Sequence, residues 1–288
     1  MIQAPTRQEN YIYTNGIKLH YVTEGEGPLM LMLHGFPEFW YSWRHLIPEF
    51  AQDYKVVALD LRGYNDSDKP AAKSAYVMDE FIKDIEGAIK GLGCDRCVLV
   101  GHDWGGAIAW CFAYAHPEMV ERLIVMNIPH PAKFAAGLTT PQQLLRSSYI
   151  FFFQLPFLPE LQLQLNDYQA IETAFKGMAI DKTAFTQADI DAYKDAAAKR
   201  GAMTAMLNYY RNIFQHGLLS RSWGVLDVPT LMIWGESDTA LGKELTYGTE
   251  TYVKDFQIKY IPNCGHWVQQ EQPQLVIQYM REWLMANG

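Results

Sequence analysis

A carboxylate flanked by glycines, in Gly101-His102-Asp103-Trp104-Gly105-Gly106, stands directly after an apolar run and directly before a helical one. The glycines permit a tight strand-to-helix turn that pushes the middle side chain out above a sheet. This is the geometry of a nucleophile elbow, G-x-S-x-G, with Asp in place of Ser. The alternative is a plain helix N-cap, and glycines on both sides argue against it. Because position 103 is not Ser, the ester chemistry of a serine alkoxide is excluded at this elbow.

A nucleophile needs partners. Asp238, in Gly235-Glu236-Ser237-Asp238, follows the apolar run Thr230–Trp234, and His266, in Asn263-Cys264-Gly265-His266-Trp267, follows the run Phe256–Ile261. The chain order nucleophile, acid, histidine is the one that nucleophile-elbow enzymes use. Of the eight histidines, His266 alone follows the last strand and precedes the last helix. His34 and His102 also sit at strand ends, each beside a motif position, and are expected to hydrogen-bond the loops. Glu236 competes with Asp238 for the acid role. Asp238 is preferred, since it lies further into the loop, where the shorter acid can reach the imidazole. A third loop, His34-Gly35-Phe36-Pro37-Glu38, follows the run Leu29–Leu33. The amide after the nucleophile and one amide from such a loop form an oxyanion hole, which assigns the N–H groups of Trp104 and Phe36. A cis Phe36–Pro37 bond would aim the second amide.

These side chains require a sheet to hold them. Strands are expected over Ile17–Val22, Leu29–Leu33, Lys55–Leu61, Cys97–Gly101 and Arg122–Asn127, as buried apolar runs closed by turn residues. Helices fall between them. Phe81, Ile82, Ile85, Ile89 and Leu92 lie at helical spacing across Asp79–Leu92 with Gly93 as a stop, and Trp104–Tyr114 follows the elbow. Strands joined by helices at this spacing imply right-handed crossovers and a parallel sheet. The pattern stops near Pro129 and returns at Pro229 with the strands Thr230–Trp234 and Phe256–Ile261. A closing helix, Pro273–Leu284, carries Leu275, Val276, Tyr279, Met280 and Trp283. The intervening stretch, His130 to Trp223, reads as helical. Thr186-x-x-Asp189 forms a capping box, and Met203, Met206, Leu207, Tyr210 and Phe214 share one helical face. The expected organisation is thus a sheet domain over 1–129 and 224–288, interrupted by a helical cap over 130–223.

The Asp103–Asp238–His266 set, the HGFPE loop and the cap together resemble the epoxide hydrolases of the α/β-hydrolase superfamily, and the resemblance spans nearly the whole chain. It implies an α/β-hydrolase fold: a mostly parallel central sheet with helices on both faces and an inserted helical cap. It also implies that two cap tyrosines donate to the epoxide oxygen. Leu207-Asn208-Tyr209-Tyr210-Arg211-Asn212 resembles the family's second tyrosine motif, with Tyr210 in the functional place. Tyr149, in Tyr149-Ile150-Phe151-Phe152-Phe153-Gln154-Leu155-Pro156, resembles the first. On the residues alone, either tyrosine reads equally as cap core. Some relatives place their acid at the end of the sixth strand. Asn127 stands there and is not acidic, which favours Asp238.

The chemistry implied is specific. An epoxide offers sp³ carbons, and a carboxylate already ionised at neutral pH can attack one without losing a proton. The oxygen left behind is a strong base that the phenols can protonate or hydrogen-bond. His266, oriented by Asp238, then activates a water against the Asp103 ester to release a diol. No cofactor or metal is called for. The nearest alternative is a haloalkane dehalogenase, where Asp-Trp-Gly also occurs and the indole N–H holds the halide. A halide needs no proton, however, and paired tyrosines would be superfluous. Fluoroacetate dehalogenases would need cations near the nucleophile, where Trp104 and Ala107 stand. A non-catalytic small-ligand-binding relative would usually lose part of the triad.

Bulk properties exclude other classes. With a net charge of −8 and no Lys/Arg run, the chain carries no nucleic-acid footprint. Met1–Gly16 is polar and lacks a secretory h-region, and the longest apolar stretch, Tyr149–Leu161, is too short to span a bilayer. Cys94 and Cys97 form a C-x-x-C with no second pair to complete a metal site. A reduced cytoplasmic protein, monomeric or homodimeric, is expected.

Overall fold

Apolar runs without polar interruption must be buried on both faces, and in the computed structural model they form the middle of one eight-stranded sheet. The structure describes residues 7–214 and 221–287. The strands are β1 (Gln8–Thr14), β2 (Ile17–Glu24), β3 (Leu29–Leu33), β4 (Lys55–Leu59), β5 (Cys97–His102), β6 (Val120–Met126), β7 (Thr230–Gly235) and β8 (Phe256–Ile261). Their order is β1-β2-β4-β3-β5-β6-β7-β8. β2 pairs antiparallel with β1 and with β4, and every other neighbour pairs in parallel.

The helices are α1 (Ile47–Phe50), α2 (Met78–Gly91), α3 (Asp103–Ala115), α4 (Pro131–Gly137), α5 (Pro141–Arg146), α6 (Ser148–Phe152), α7 (Leu158–Met178), α8 (Gln187–Ala198), α9 (Ala202–Asn212), α10 (Val268–Glu271) and α11 (Pro273–Ala286). Side chains alternate across β3, so its two faces feed two cores. Leu29, Leu31 and Leu33 pack with α2 and α3 through Phe81, Ile85, Ile108 and Phe112. Met30 and Met32 pack with α1 and α11 through Ile47, Val276, Met280 and Trp283. α4 to α9 all fall between β6 and β7. Residues 215–220 of the 130–223 insertion, and 1–6 of the polar amino-terminal stretch, lie outside the described residues.

β2, β5 and β7 run one or two residues past their expected ends, to Glu24, His102 and Gly235, and four further differences have a local physical cause. β1 was not expected, because only Ile12 among its residues is buried; pairing with β2 along its whole length makes it a strand. β4 ends at Leu59 rather than Leu61, where the Asp60 carboxylate is taken up by the Trp40 N–H at 2.8 Å and by His20 and Asn65. β6 begins at Val120 and ends at Met126, since Asn127 turns into the left-handed region at φ 42°. Phe214 does not join the buried face of Met203, Met206, Leu207 and Tyr210. It lies past the end of α9, is exposed, and stacks on Phe151 at 5.4 Å. The capping box at Thr186 and Asp189 forms at the start of α8 as the spacing predicts.

The β5–α3 turn depends on close backbone contact. A Cβ on Gly105 would lie 2.1 Å from the Leu33 carbonyl oxygen, so any larger residue forces α3 off the sheet. Gly105→Ala should therefore lose about 1–3 kcal/mol of stability, together with activity. Gly177, on α7, has open space around its missing Cβ, and Gly177→Ala should gain up to about 1 kcal/mol. Urea unfolding of the two variants checks the contrast.

Candidate active site

At the end of β5, His102 is still extended (φ −118°, ψ 141°) and α3 begins with Asp103. Between them the chain must reverse its direction in one residue, and Asp103 does so with φ 48°. Such a left-handed conformation is costly for a residue with a Cβ. It leaves the carboxylate at the carboxyl end of the central strands, buried to 8% exposure.

Asp103 Oδ1 accepts the Phe36 N–H at 2.8 Å. Oδ2 lies 3.6 Å from His266 Nε2, and His266 Nδ1 pairs with Asp238 Oδ2 at 2.7 Å. The structure thus brings Asp103, His266, Asp238 and the Phe36 amide into one contact set. The Trp104 N–H sits in the first turn of α3, where amides lack intrahelical acceptors. The Phe36–Pro37 bond is cis. Glu236, the competing acid, pairs with Lys243 instead.

Electrostatics follow from that burial. Burial would raise the Asp103 carboxyl, but the His266 imidazole and the Phe36 amide outweigh it and hold it below its ordinary value. Asp238 is lowered in the same way: burial opposes ionisation, while His266, Asn127 and the Leu241 amide favour it. Burial would lower His266, yet the carboxylates on its two nitrogens carry it well above the ordinary histidine value of 6.5.

Two supporting residues escaped the sequence reading. Asn127 donates from Nδ2 to Asp238 Oδ2 at 2.8 Å and accepts the Gly235 N–H on Oδ1 at 2.9 Å. Its only sequence signal was the absence of a charge. Glu38, 1% exposed, accepts from the Gly35 N–H at 2.8 Å and from Gln270 Nε2 at 2.7 Å, and pairs with His102 Nδ1 at 2.8 Å. His102 Nε2 in turn donates to the His266 carbonyl at 2.9 Å, and His34 Nε2 accepts the Leu61 N–H at 3.0 Å. Both histidines brace loops, as their places beside the motifs suggested.

Above Asp103 lies an apolar cavity walled by Met78, Ile128, Pro131, Phe134, Ile213 and Leu241, with Tyr149 and Tyr210 on the same lining. The two tyrosine rings are 5.8 Å apart, and Tyr210 meets Phe36 and Trp104 edge-on, each at 5.2 Å. Burial, with the Asp103 charge adding to it, pushes both phenols above their ordinary range, so they stay protonated donors. No Lys or Arg is among the lining residues. Cys111 also lines the cavity, but burial pushes its thiol up to about 12, which denies it a thiolate. Among the described residues no group of three or more His, Cys, Asp or Glu could hold a metal ion, and no helix is long and apolar enough to cross a membrane.

This arrangement has relatives. The alpha/beta hydrolase fold family matches residues 28–273. The chain is 45% identical to mouse "Epoxide hydrolase 4" over 92% of this chain and 76% of that one. It is 44% identical to "Epoxide hydrolase 3" of Xenopus tropicalis over 95% and 76%. Among solved structures, an epoxide hydrolase from Bacillus megaterium in complex with an inhibitor superposes with a TM-score of 0.89 at 39% identity, covering 96% of this chain and 99% of that one. The chain belongs to the epoxide hydrolases of the α/β-hydrolase fold. The Phe36 amide and the His266 imidazole that meet Asp103 come from the loops after β3 and β8, and the two tyrosines come from α6 and α9, between β6 and β7.

The sign of the His266 shift yields a test. A histidine raised on folding contributes stability in full below its unfolded value, about 6.5, and loses it as pH rises through the folded value. The His266 ring should therefore titrate well above 6.5 by NMR, and Asp103→Asn should bring that titration down. A wild-type ring titrating near 6.5 would contradict the pairing.

Proposed function

We propose that this chain converts epoxides to vicinal diols in two steps, through an ester on Asp103. The observation that carries the reading is the shared cavity: an ionised carboxylate and two protonated phenols line one apolar space, and an imidazole stands against the carboxylate. The division into a core of 1–129 and 224–288 and a cap of 130–223 belongs to the same proposal, with the cap supplying Tyr149 and Tyr210.

In the first step Asp103 Oδ attacks an epoxide carbon, a C–O bond forms, and the ring C–O bond breaks onto the epoxide oxygen. Tyr149 and Tyr210 donate to that oxygen as its charge grows. Esterification removes the Asp103 charge, so His266 loses one of the carboxylates that held its proton. The proton it sheds restores the protonated tyrosine pair, and the neutral imidazole becomes a base. In the second step His266 takes a proton from water, and the hydroxide adds to the ester carbonyl. The amides of Phe36 and Trp104 hold the resulting oxyanion. Collapse expels the product oxygen as an alkoxide, which takes the proton from His266 to complete the diol; the Asp103 carboxylic acid then passes its own proton to the neutral imidazole, which restores the starting charges.

The rival haloalkane dehalogenase is disfavoured by the paired tyrosines, which a halide would not need. The cationless lining disfavours a carboxylate substrate. Four free thiols, three of them buried, fit a reducing compartment such as the cytoplasm.

Single turnover in ¹⁸O-water with enzyme in excess tests the covalent step. Water enters the ester carbonyl carbon, so the first diol is mostly unlabelled and the label appears in the Asp103 peptide. Fully labelled diol with an unlabelled peptide would make Asp103 a general base instead. The tyrosines are tested separately: Tyr149→Phe and Tyr210→Phe should each slow ester formation by about 10²-fold or more, with little change in the urea midpoint. Alkylation at the wild-type rate in both single variants and the double would remove them from the mechanism.

A further inference from the structure

We infer that Glu271 is a positioning residue for the hydrolytic step, tying the His266 loop to the carboxyl end of α7. The inference rests on the two-step reading above. Glu271 closes α10, outside the set of groups that touch Asp103, and is buried to 5% exposure. Its Oε1 accepts the Gly265 N–H at 3.0 Å, one residue before the catalytic imidazole. Its Oε2 accepts the Ile180 N–H at 2.7 Å and the Asp181 N–H at 3.3 Å, just beyond α7. One carboxylate therefore spans two chain segments that share no sheet or helix. Hydrogen bonds from amides to an ionised acceptor are shorter and stronger than neutral ones.

Three other contacts mark the same seam. A Cβ on Gly265 would lie 2.2 Å from the Met178 carbonyl oxygen, so the cap backbone rests directly on this loop. Trp267 packs on Phe175 of α7 at 4.4 Å between ring centres. Tyr193 of α8 donates to Gln270 Oε1 at 2.6 Å. The His266 backbone is thus held at Gly265 through Glu271 and at its own carbonyl by His102.

The two half-reactions feel this seam differently. Asp103 is ionised and attacks without a base, so ester formation tolerates a displaced His266. Hydrolysis needs His266 Nε2 beside the ester carbonyl, and shifts of a fraction of an ångström at a general base are costly. Because α7 and α8 lie in the same insertion as α6, which carries Tyr149, and α9, which carries Tyr210, Glu271 makes readiness of the base conditional on a seated cap.

The test uses rapid quench with styrene oxide, following the Asp103 ester by intact mass and the diol by chromatography. Glu271→Gln keeps the shape but turns an N–H donor toward amide N–H groups. It should form the ester within about twofold of the wild-type rate and discharge it about 10- to 100-fold more slowly, so that ester accumulates. Ile180→Pro, which follows an Ala179 already extended at ψ 140°, removes the shorter of the two cap-side hydrogen bonds while leaving Glu271 intact. It should show the same split, and it stands in if Glu271→Gln fails to fold. Partial unfolding would cut the active fraction and leave both rate constants unchanged. Discharge at the wild-type rate, or equal slowing of both steps, overturns the role of Glu271 alone. A wild-type enzyme that never forms the ester overturns it together with the two-step reading.

Discussion

Two carboxylates, Asp103 and Asp238, are buried against the two nitrogens of one imidazole, and most of the surrounding structure exists to make that tolerable. Moving an ion into a protein interior costs several kcal/mol even after relaxation. A net contribution of about 1.5–3 kcal/mol from each hydrogen bond to a charged group offsets it only if several converge. Asp238 receives its share from the Ala240 and Leu241 amides and from Asn127, besides His266. Asp103 receives fewer, from the Phe36 amide and, at longer range, from His266. The difference matches the roles. Asp238, the proposed orienting acid, is fully satisfied, while Asp103, the proposed nucleophile, keeps an oxygen whose lone pairs are uncommitted.

The sheet meets this demand through the way its strands end. β3, β5 and β7 are parallel, so their carboxyl ends lie together and deliver the Phe36 loop, the elbow and the Asp238 loop to one place. β8 brings the His266 loop alongside. β3, β5 and β7 are buried along their whole length, which leaves them little freedom to slip. The loops are then fixed to one another rather than to solvent. Glu38 alone engages the Gly35 amide, His102 and two glutamine side chains. A half-satisfied network of this kind would be worse than an apolar core, which is why its members come as a set.

What could be read from the sequence was what local chemistry dictates. Asp103, Phe36 and Trp104 stand in glycine-marked turns whose backbone needs are visible in a few residues. Asp238 follows an apolar run that could be little other than a buried strand, and His266 follows an alternating one that is half-buried. The preference for Asp238 over Glu236 also rested on a local argument, reach into the loop. The roles of Asn127 and Glu38 stayed hidden because they are partnerships across 111 and 64 residues, with Asp238 and His102. β1 was invisible for a related reason. Its edge position exposes most of its side chains, so no alternation survives to be counted. Phe214 was misplaced because helical periodicity does not announce where a helix stops, and α9 ends at Asn212.

A carboxylate at an elbow that more often carries serine changes how the base is used. A serine must lose a proton to its histidine before it attacks, so nucleophile and base are committed to one step. Asp103 is held below its ordinary pKa by its surroundings, and in the proposed reaction it attacks as it stands. The imidazole is then spared for the second step, where the ester has erased one of the two charges that kept it protonated. The same change of charge therefore ends the first step and arms the second. This logic needs a substrate whose leaving oxygen stays attached and requires a proton, since the proton shed by His266 must have somewhere to go. A halide would leave with its charge and strand that proton. An epoxide, opened beneath two phenols in a cavity lined by no cation, consumes it.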